Sequence, residues 1–234
     1  MVHHGGLVIP KTLHFVWIGD EAKRPDNCID TWRQHHPTWE VKVWGNEAFH
    51  NEPWINRAHM QAMWRYELCG VADMMRYEIL YRHGGVALDA DSACLRQLPD
   101  WLLEPDAFAC YENEFARPGL VSTNAIGAVP GNPFVGQIIL DIQKSDSVTD
   151  KRAWETTGPM RITETWRTHR YPLTVHPSHY FIPEHFSGQR YEGRGPVFAT
   201  QWWASTLCGY DTLHQTPIAF SRQWSRQTEI VART

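Results

Sequence analysis

The large apolar residues of this chain fall into short runs divided by glycine, proline and charge. Residues 13–18 form an apolar, partly β-branched run closed by Gly19, which predicts a first strand. A helix is predicted from Pro25-Asp26 to Gln34, stopping before Pro37. Across 39–44, Trp39, Val41 and Val43 alternate with Glu40, Lys42 and Trp44, the period of a second strand. Strand, helix and strand within about 30 residues predict a βαβ unit and an α/β sheet.

A longer helix is predicted over 68–83, with Leu68, Val71, Ala72, Met75 and Ile79 as its buried stripe. Asp73 and Arg76 stand three apart and share a second face. Gly84-Gly85 ends that helix, and residues 86–88 read as a short buried strand. The strand delivers Asp89-Ala90-Asp91 at its C-terminal end, where ligands bind in open α/β sheets. Further strands are predicted at 107–111, 125–129 and 173–176. Helices are predicted from Asn132-Pro133 to Lys144 and from Gly158-Pro159 to about residue 168. Residues 188–195, with three glycines and two arginines, read as a mobile loop. The last forty residues, rich in Trp and Gln, give no clear element.

At 234 residues the chain is sized for one domain. Twelve Trp, eight Tyr and nine Phe demand burial and exclude disorder as the main state. No apolar run approaches the roughly 20 residues of a membrane span. The first six residues lack the basic and apolar regions of a secretory signal. Twenty-two basic against 26 acidic residues give a net charge of −4, with no footprint for duplex nucleic acid in the total. The five cysteines are scattered, with no CxxC pair. That excludes a zinc ribbon and favours free thiols in a reducing compartment.

Two carboxylates at i and i+2 on an extended strand point to opposite faces, but a turn at the strand end lets both reach one ligand. Carboxylate oxygens are hard donors suited to Mg²⁺ or Mn²⁺, and so small a protein donor set is completed by water and substrate phosphates. The tripeptide alone is weak, because twelve Asp in 234 residues produce about 0.6 such pairs by chance. Its context is specific. Residues 72–91, ADMMRYEILYRHGGVALDAD, resemble the signature block of the DXD-containing sugar transferases, a family that includes fungal initiating mannosyltransferases and bacterial capsule and lipopolysaccharide transferases. The clostridial glucosyltransferase toxins are more distant members. Residues 9–19, IPKTLHFVWIG, resemble its first strand, and 124–133, 157–159 and 176–183 its later blocks.

The resemblance, spanning about 7–207, implies a GT-A fold: one α/β nucleotide-sugar-binding domain with a mixed central sheet. The donor-binding half would span about 7–130, and an acceptor side with a C-terminal lid about 131–234. It implies a retaining hexosyltransferase with Mn²⁺ or Mg²⁺, a UDP-hexose donor favoured over GDP-mannose, and a glycan or glycoconjugate acceptor. The setting implied is cytoplasmic, or peripheral to a membrane-bound glycan assembly system. Carried over by position, Trp17 matches the aromatic stacked on the donor base, and Asp73 with Arg76 the pair that grips the transferred sugar. Asp89 matches the first DXD aspartate and Asp91 the direct metal ligand, while Asn124 is a sugar-contact candidate. A guanidinium held by a carboxylate one turn away suits vicinal hydroxyls.

Two departures stand out. Ala87 replaces a usual Tyr, and residues 199–207, ATQWWASTL, lack the usual C-terminal His. Gln201 is left as the candidate metal ligand there, Ser205 or Thr206 as diphosphate donors, and Trp202 or Trp203 as a lid over the donor. These departures keep open a second reading, a non-catalytic nucleotide-sugar-binding domain, and a third, a transferase acting on protein or nucleic acid. The His176 and His179 pair has helical ligand spacing, but Pro177 intervenes and no third ligand is evident, so a structural role is expected. His35-His36 are expected to close a helix end.

Overall fold

The computed structural model describes residues 8–218. Strand β1 (Thr12–Val16) leads through a 3₁₀ turn at Glu21–Lys23 into helix α1 (Asp26–His35) and strand β2 (Glu40–Trp44). Helices α2 (Asn46–Asn51), α3 (Arg57–Trp64) and α4 (Leu68–His83) follow, then β3 (Gly85–Leu88) and β4 (Ser92–Cys94). The chain continues through β5 (Ala107–Asn113), β6 (Arg117–Val121), β7 (Ala125–Ala128) and α5 (Pro133–Gln143). It ends with α6 (Ala153–Thr156), α7 (Pro159–His169), β8 (Thr174–His176), β9 (Ala199–Gln201) and α8 (Tyr210–Leu213).

Six strands follow the order β2-β1-β3-β7-β5-β6, with β8 paired to β5. β2 and β3 flank β1 in parallel, as a βαβ unit requires, while β7 runs antiparallel to β3 and β5. The sheet is therefore mixed, as expected. A separate ribbon joins β4 and β9, antiparallel, with Ser92 opposite Gln201.

Alternate residues of each strand feed two cores, following the strand period of two. Ala87, Ala107, Ala109, Ile126 and Ala128 face the core built on α4, α5 and α7. Leu13, Phe15, Val86, Leu88, Phe108 and Cys110 face the core built on Trp32 of α1 and on Phe181. Helix α5 starts as predicted, Asn132 capping the amides of Phe134 and Val135 with Pro133 in the first turn.

The stripe predicted on α4 is buried at Val71, Met75 and Ile79 and corrected at Leu68. Leu68 is 37% exposed, whereas residues 73 to 80 are all buried, Asp73, Arg76 and Glu78 included. α4 is wedged against the sheet, α3, α5 and α6, so apolar spacing cannot mark a buried side. Gly84 and Gly85 adopt φ +63° and +101°, and a Cβ on Gly85 would lie 2.6 Å from the Thr12 carbonyl oxygen. Only glycine lets α4 turn this tightly beside β1 into β3. The stretch 188–195 folds back on itself: His185 N–H donates to the Gln189 carbonyl, and Tyr191 stacks on His179 at 3.8 Å between ring centres. Among the described residues no helix is long and apolar enough to cross a membrane.

Candidate active site

The site forms where β3 ends. Asp89 N–H donates to the Asn124 carbonyl, and Ser92 N–H donates back to the Asp89 carbonyl. The resulting turn answers the spacing problem of the DXD. Asp89 Oδ2 and Asp91 Oδ1 both accept from Gln201 Nε2, at 3.2 and 2.9 Å. The β4–β9 ribbon delivers Gln201 there, and the second Asp91 oxygen accepts the Ala204 N–H at 2.8 Å.

Helix α4 supplies the other half. Arg76 Nη2 donates to Asp89 Oδ1 at 2.5 Å, and Nη1 donates to the Thr123 carbonyl. Asp73 lies 3.9 Å from Arg76. Asp73, Arg76 and Asp91 are all buried. So two carboxylates, Asp73 and Asp89, share one guanidinium, and Asp91 lies beside Asp89. Burial, with Asp89 nearby, pushes the Asp91 carboxyl up to about 7. Burial pushes Asp73 to about 7 as well, with Arg76 opposing and Asp89 adding to the shift. Burial works against the Arg76 charge, but Asp89 and Asp73 override it and hold the guanidinium above its ordinary range. The cluster is short of positive charge.

Among the described residues the Gln201 Oε1 atom is buried without a partner, and so is Asn124 Nδ2. Asn124 Oδ1 accepts from the Cys110 thiol at 3.3 Å. A buried polar atom left unpaired is uncommon and marks where a ligand group can be met. Two carboxylates beside an amide group form an oxygen-rich set, which fits a hard divalent cation. Among the described residues no three His, Cys, Asp or Glu converge, so ligands beyond the protein would complete such a site. Gln201 presents its nitrogen to the carboxylates in this arrangement. As a ligand it would offer the oxygen after an amide flip.

The predicted aromatics are held by contacts of their own. Trp17, just past β1, donates its indole N–H to the Asp20 carbonyl, and Tyr210 of α8 meets its ring edge-on at 4.9 Å. Trp203 holds a left-handed φ of +55°, rare outside glycine. Its indole N–H donates to the Glu184 carbonyl, and its ring packs on His185 and Phe186. Ala87 is 1% exposed and packed in the helix-side core opposite Ile126. His176 and His179 do not converge: His176 stacks on Tyr180 and His179 on Tyr191. His35 and His36 close α1, each ring bonded to a carbonyl one turn back.

Sequence reasoning missed the Ala204 amide on Asp91, the Thr123 carbonyl on Arg76 and Tyr210 over Trp17. Backbone donors leave no mark in a sequence. Gly158 has one, since Thr157-Gly158-Pro159 matched a family block. A Cβ on Gly158 would stand 3.0 Å from Asp73 Oδ2.

The fold and this site together define a GT-A-type α/β domain built around a DXD turn. Residues 22–108 match the family model described as glycosyltransferase sugar-binding region containing DXD motif. It is 27% identical over 199 residues to inositol phosphoceramide mannosyltransferase 2 of Schizosaccharomyces pombe, covering 75% of this chain and 51% of that protein. It is 27% identical over 176 residues to mannosyl phosphorylinositol ceramide synthase CSH1 of Saccharomyces cerevisiae, covering 70% and 44%. The chain thus spans about half the length of these curated relatives. Two solved structures share the fold. The PaToxG glycosyltransferase superposes with a TM-score of 0.55 at 15% identity, over 70% of each chain. A glycosyltransferase involved in glycosylation of the major capsid of PBCV-1 gives 0.51 at 10% identity, over 88% and 98%.

Proposed function

We propose that this chain is a metal-dependent, retaining hexosyltransferase that uses a nucleotide-sugar donor. The observation that carries the reading is the convergence of Asp89, Asp91 and Gln201 from two strand ends beside the Asp73–Arg76 pair of α4. In this reading Asp91, Asp89 and Gln201 hold Mn²⁺ or Mg²⁺, which as a Lewis acid stabilises charge on the departing diphosphate. Trp17 stacks on the base. Asp73 accepts hydrogen bonds from the sugar hydroxyls, and Arg76, fixed by Asp89 and the Thr123 carbonyl, donates to them. The unpaired Asn124 amide N–H faces the same task. Trp203 closes over the donor. Residues to about 130 form the donor-binding half, and the remainder supplies Gln201, the lid and the side that holds the acceptor, a glycan or glycoconjugate.

UDP-hexose is the donor the family resemblance implies, and the mannosyltransferase names of the relatives make GDP-mannose its competitor. The five cysteines are all free, which supports a reducing, cytoplasmic setting. For retention we favour front-face attack assisted by the departing diphosphate oxygen. Trapping a covalent glycosyl-enzyme would overturn that route.

The test is donor hydrolysis with UDP-glucose, UDP-galactose, UDP-N-acetylglucosamine and GDP-mannose, each with Mn²⁺ or EDTA, for wild type and Asp91→Ala. Release of one nucleotide, lost with EDTA and in the variant, supports the reading. Nucleotide-sugar binding without release would make the chain a binding domain.

A further inference from the structure

Glu112 is a buried carboxylate, 4% exposed, that takes no part in the DXD turn. It stands near the end of β5, where the pairing with β6 shifts register between Tyr111 and Asn113. Irregularities of this kind re-aim side chains beside functional sites. By the strand period Glu112 shares a face of β5 with Phe108 and Cys110, which belong to the core that Trp203 packs against.

Two neighbours meet the same oxygen of Glu112. His185 Nε2 lies 3.2 Å from Oε1, and Arg117 Nε stands 3.3 Å from that atom. His185 Nδ1 accepts the Ser187 N–H at 3.2 Å, so Nε2 carries the proton donated to Glu112. Arg117 in turn lies 5.6 Å from the Phe186 ring centre. His185 and Phe186 belong to one small hairpin, 183–191. It is closed by the Tyr191 N–H on the Pro183 carbonyl and by the Glu184–Arg190 ion pair at 2.7 Å. Among the described residues, the bond from His185 to Glu112 is the one hydrogen bond that side chains of this hairpin make to the main sheet. Trp203 rests on the hairpin. Its indole N–H donates to the Glu184 carbonyl at 2.9 Å, and its ring meets those of His185 and Phe186, each at 5.1 Å. The next residue, Ala204, donates its N–H to Asp91. A continuous set of contacts thus runs from Glu112 through the hairpin to Trp203 and on to the DXD.

We infer that Glu112 is a positioning residue, which holds Trp203 and the Ala204 amide in place through the 183–191 hairpin. In the transferase reading, on which this rests, Trp203 covers the donor. Glu112 touches neither donor nor metal, so it acts on donor affinity and leaves the chemical step alone. Without its carboxylate the His185 proton and the Arg117 guanidinium lose their shared acceptor, and a buried donor left unpaired is costly. The hairpin under Trp203 is then fixed by its apolar contacts alone.

The test joins amide hydrogen exchange to donor kinetics on the whole chain. Exchange compares wild type, Glu112→Gln and Glu112→Ala without donor or metal. Protection over 202–207 is expected to fall about tenfold in Glu112→Ala and about threefold in Glu112→Gln, which keeps an acceptor oxygen, while β1 and β3 exchange as in wild type. Unchanged protection over 202–207 overturns the inference. Faster exchange of β1 and β3 in both variants also overturns it, since Glu112 would then support the whole fold. If the alanine variant alone loosens those strands, the glutamine variant decides. In kinetics, Glu112→Ala is expected to raise the donor KM about fivefold with kcat little changed, and to add nothing in a Trp203→Gly background, because both changes act through one side chain. KM effects that multiply would place the action of Glu112 elsewhere and overturn the inference. Exchange is read without turnover. A chain that loses protection as expected but cleaves no donor refutes the transferase reading alone. One that cleaves a donor with protection unaltered refutes the positioning role alone.

Discussion

Gln201 donates one amide N–H to Asp91 across 2.9 Å while its own carbonyl oxygen stays buried and, among the described residues, unpartnered. The pair holds a carboxylate that burial has already pushed up to about 7. Asp91→Asn removes this buried charge, and a flip of Gln201 turns its free oxygen toward the new Nδ2. The variant is expected to gain about 1 kcal/mol of stability without metal, since replacing buried charge is often neutral or stabilising. Donor turnover is expected to fall on the order of 100-fold. Paired urea melts and turnover assays check this. A destabilised Asp91→Asn would mean that the site tolerates the charge better than its burial implies.

Arg76 pairs with two carboxylates, Asp73 and Asp89, and it is buried. Arg76→Lys keeps the charge but loses the fork that reaches the Thr123 carbonyl and Asp89 together. A loss of about 3 kcal/mol in stability is expected, in line with breaking a buried ionic pair. Added Mn²⁺ should restore part of it by compensating Asp89 and Asp91. Full stability in the lysine variant without metal would show that Asp73 and Asp89 do not need the guanidinium.

Much of this frame was legible from residue pattern. The first strand and helix, α4 with its Gly-Gly stop, β3 and the Asn132 cap all lie within two residues of expectation. What escaped has local causes. β6 carries Pro118 and Gly119, which weaken a strand pattern, and no element is predicted there. β4 and β9 have three residues each, too few for a period, and the Gln201–Asp91 bond adds to their backbone pairing. Asp73 and Arg76 were placed on one face correctly, but their burial could not be seen. It depends on α7 arriving with Gly158 against Asp73, a contact between residues far apart in sequence. Backbone donors leave no mark either: the bond from the loop of Ser205 and Thr206 to the DXD comes from the Ala204 amide.

His14 gives a pH test away from the site. Its Nδ1 accepts from the Trp44 indole at 3.2 Å, so Nε2 carries the proton donated to the Gly84 carbonyl. Burial pushes its pKa from 6.5 down to about 4, with His83 and Lys42 adding to the fall and the Gly84 bond opposing it. Between these values the unfolded chain binds the proton more readily. The His14 contribution is thus complete above pH 6.5 and is lost as pH falls toward 4. The total is up to about 3 kcal/mol. Raised carboxyls such as Glu78 act in the opposite direction, so the quantity to measure is the difference between wild type and His14→Gln. That difference should shrink from pH 7 to pH 4. A difference independent of pH would show that His14 folds without losing its proton.

Trp203 tests the lid. A left-handed φ on a non-glycine residue costs on the order of 1 kcal/mol and persists only where its surroundings enforce it. Here the enforcers are the Glu184 carbonyl, the His185 and Phe186 rings, and the neighbouring Ala204 amide anchored on Asp91. Trp203→Gly relieves the backbone and removes the ring. Relief of strain and loss of a half-buried side chain oppose one another, so the melting temperature is expected to shift by only a few degrees. The donor is expected to lose its cover, raising KM about tenfold with a smaller change in kcat. Trp203→Phe, which keeps an aromatic ring without the indole bond to Glu184, should fall between the two. An unchanged KM in the glycine variant would place the ring outside the donor subsite and leave the Ala204–Asp91 bond as that loop's contribution to the site.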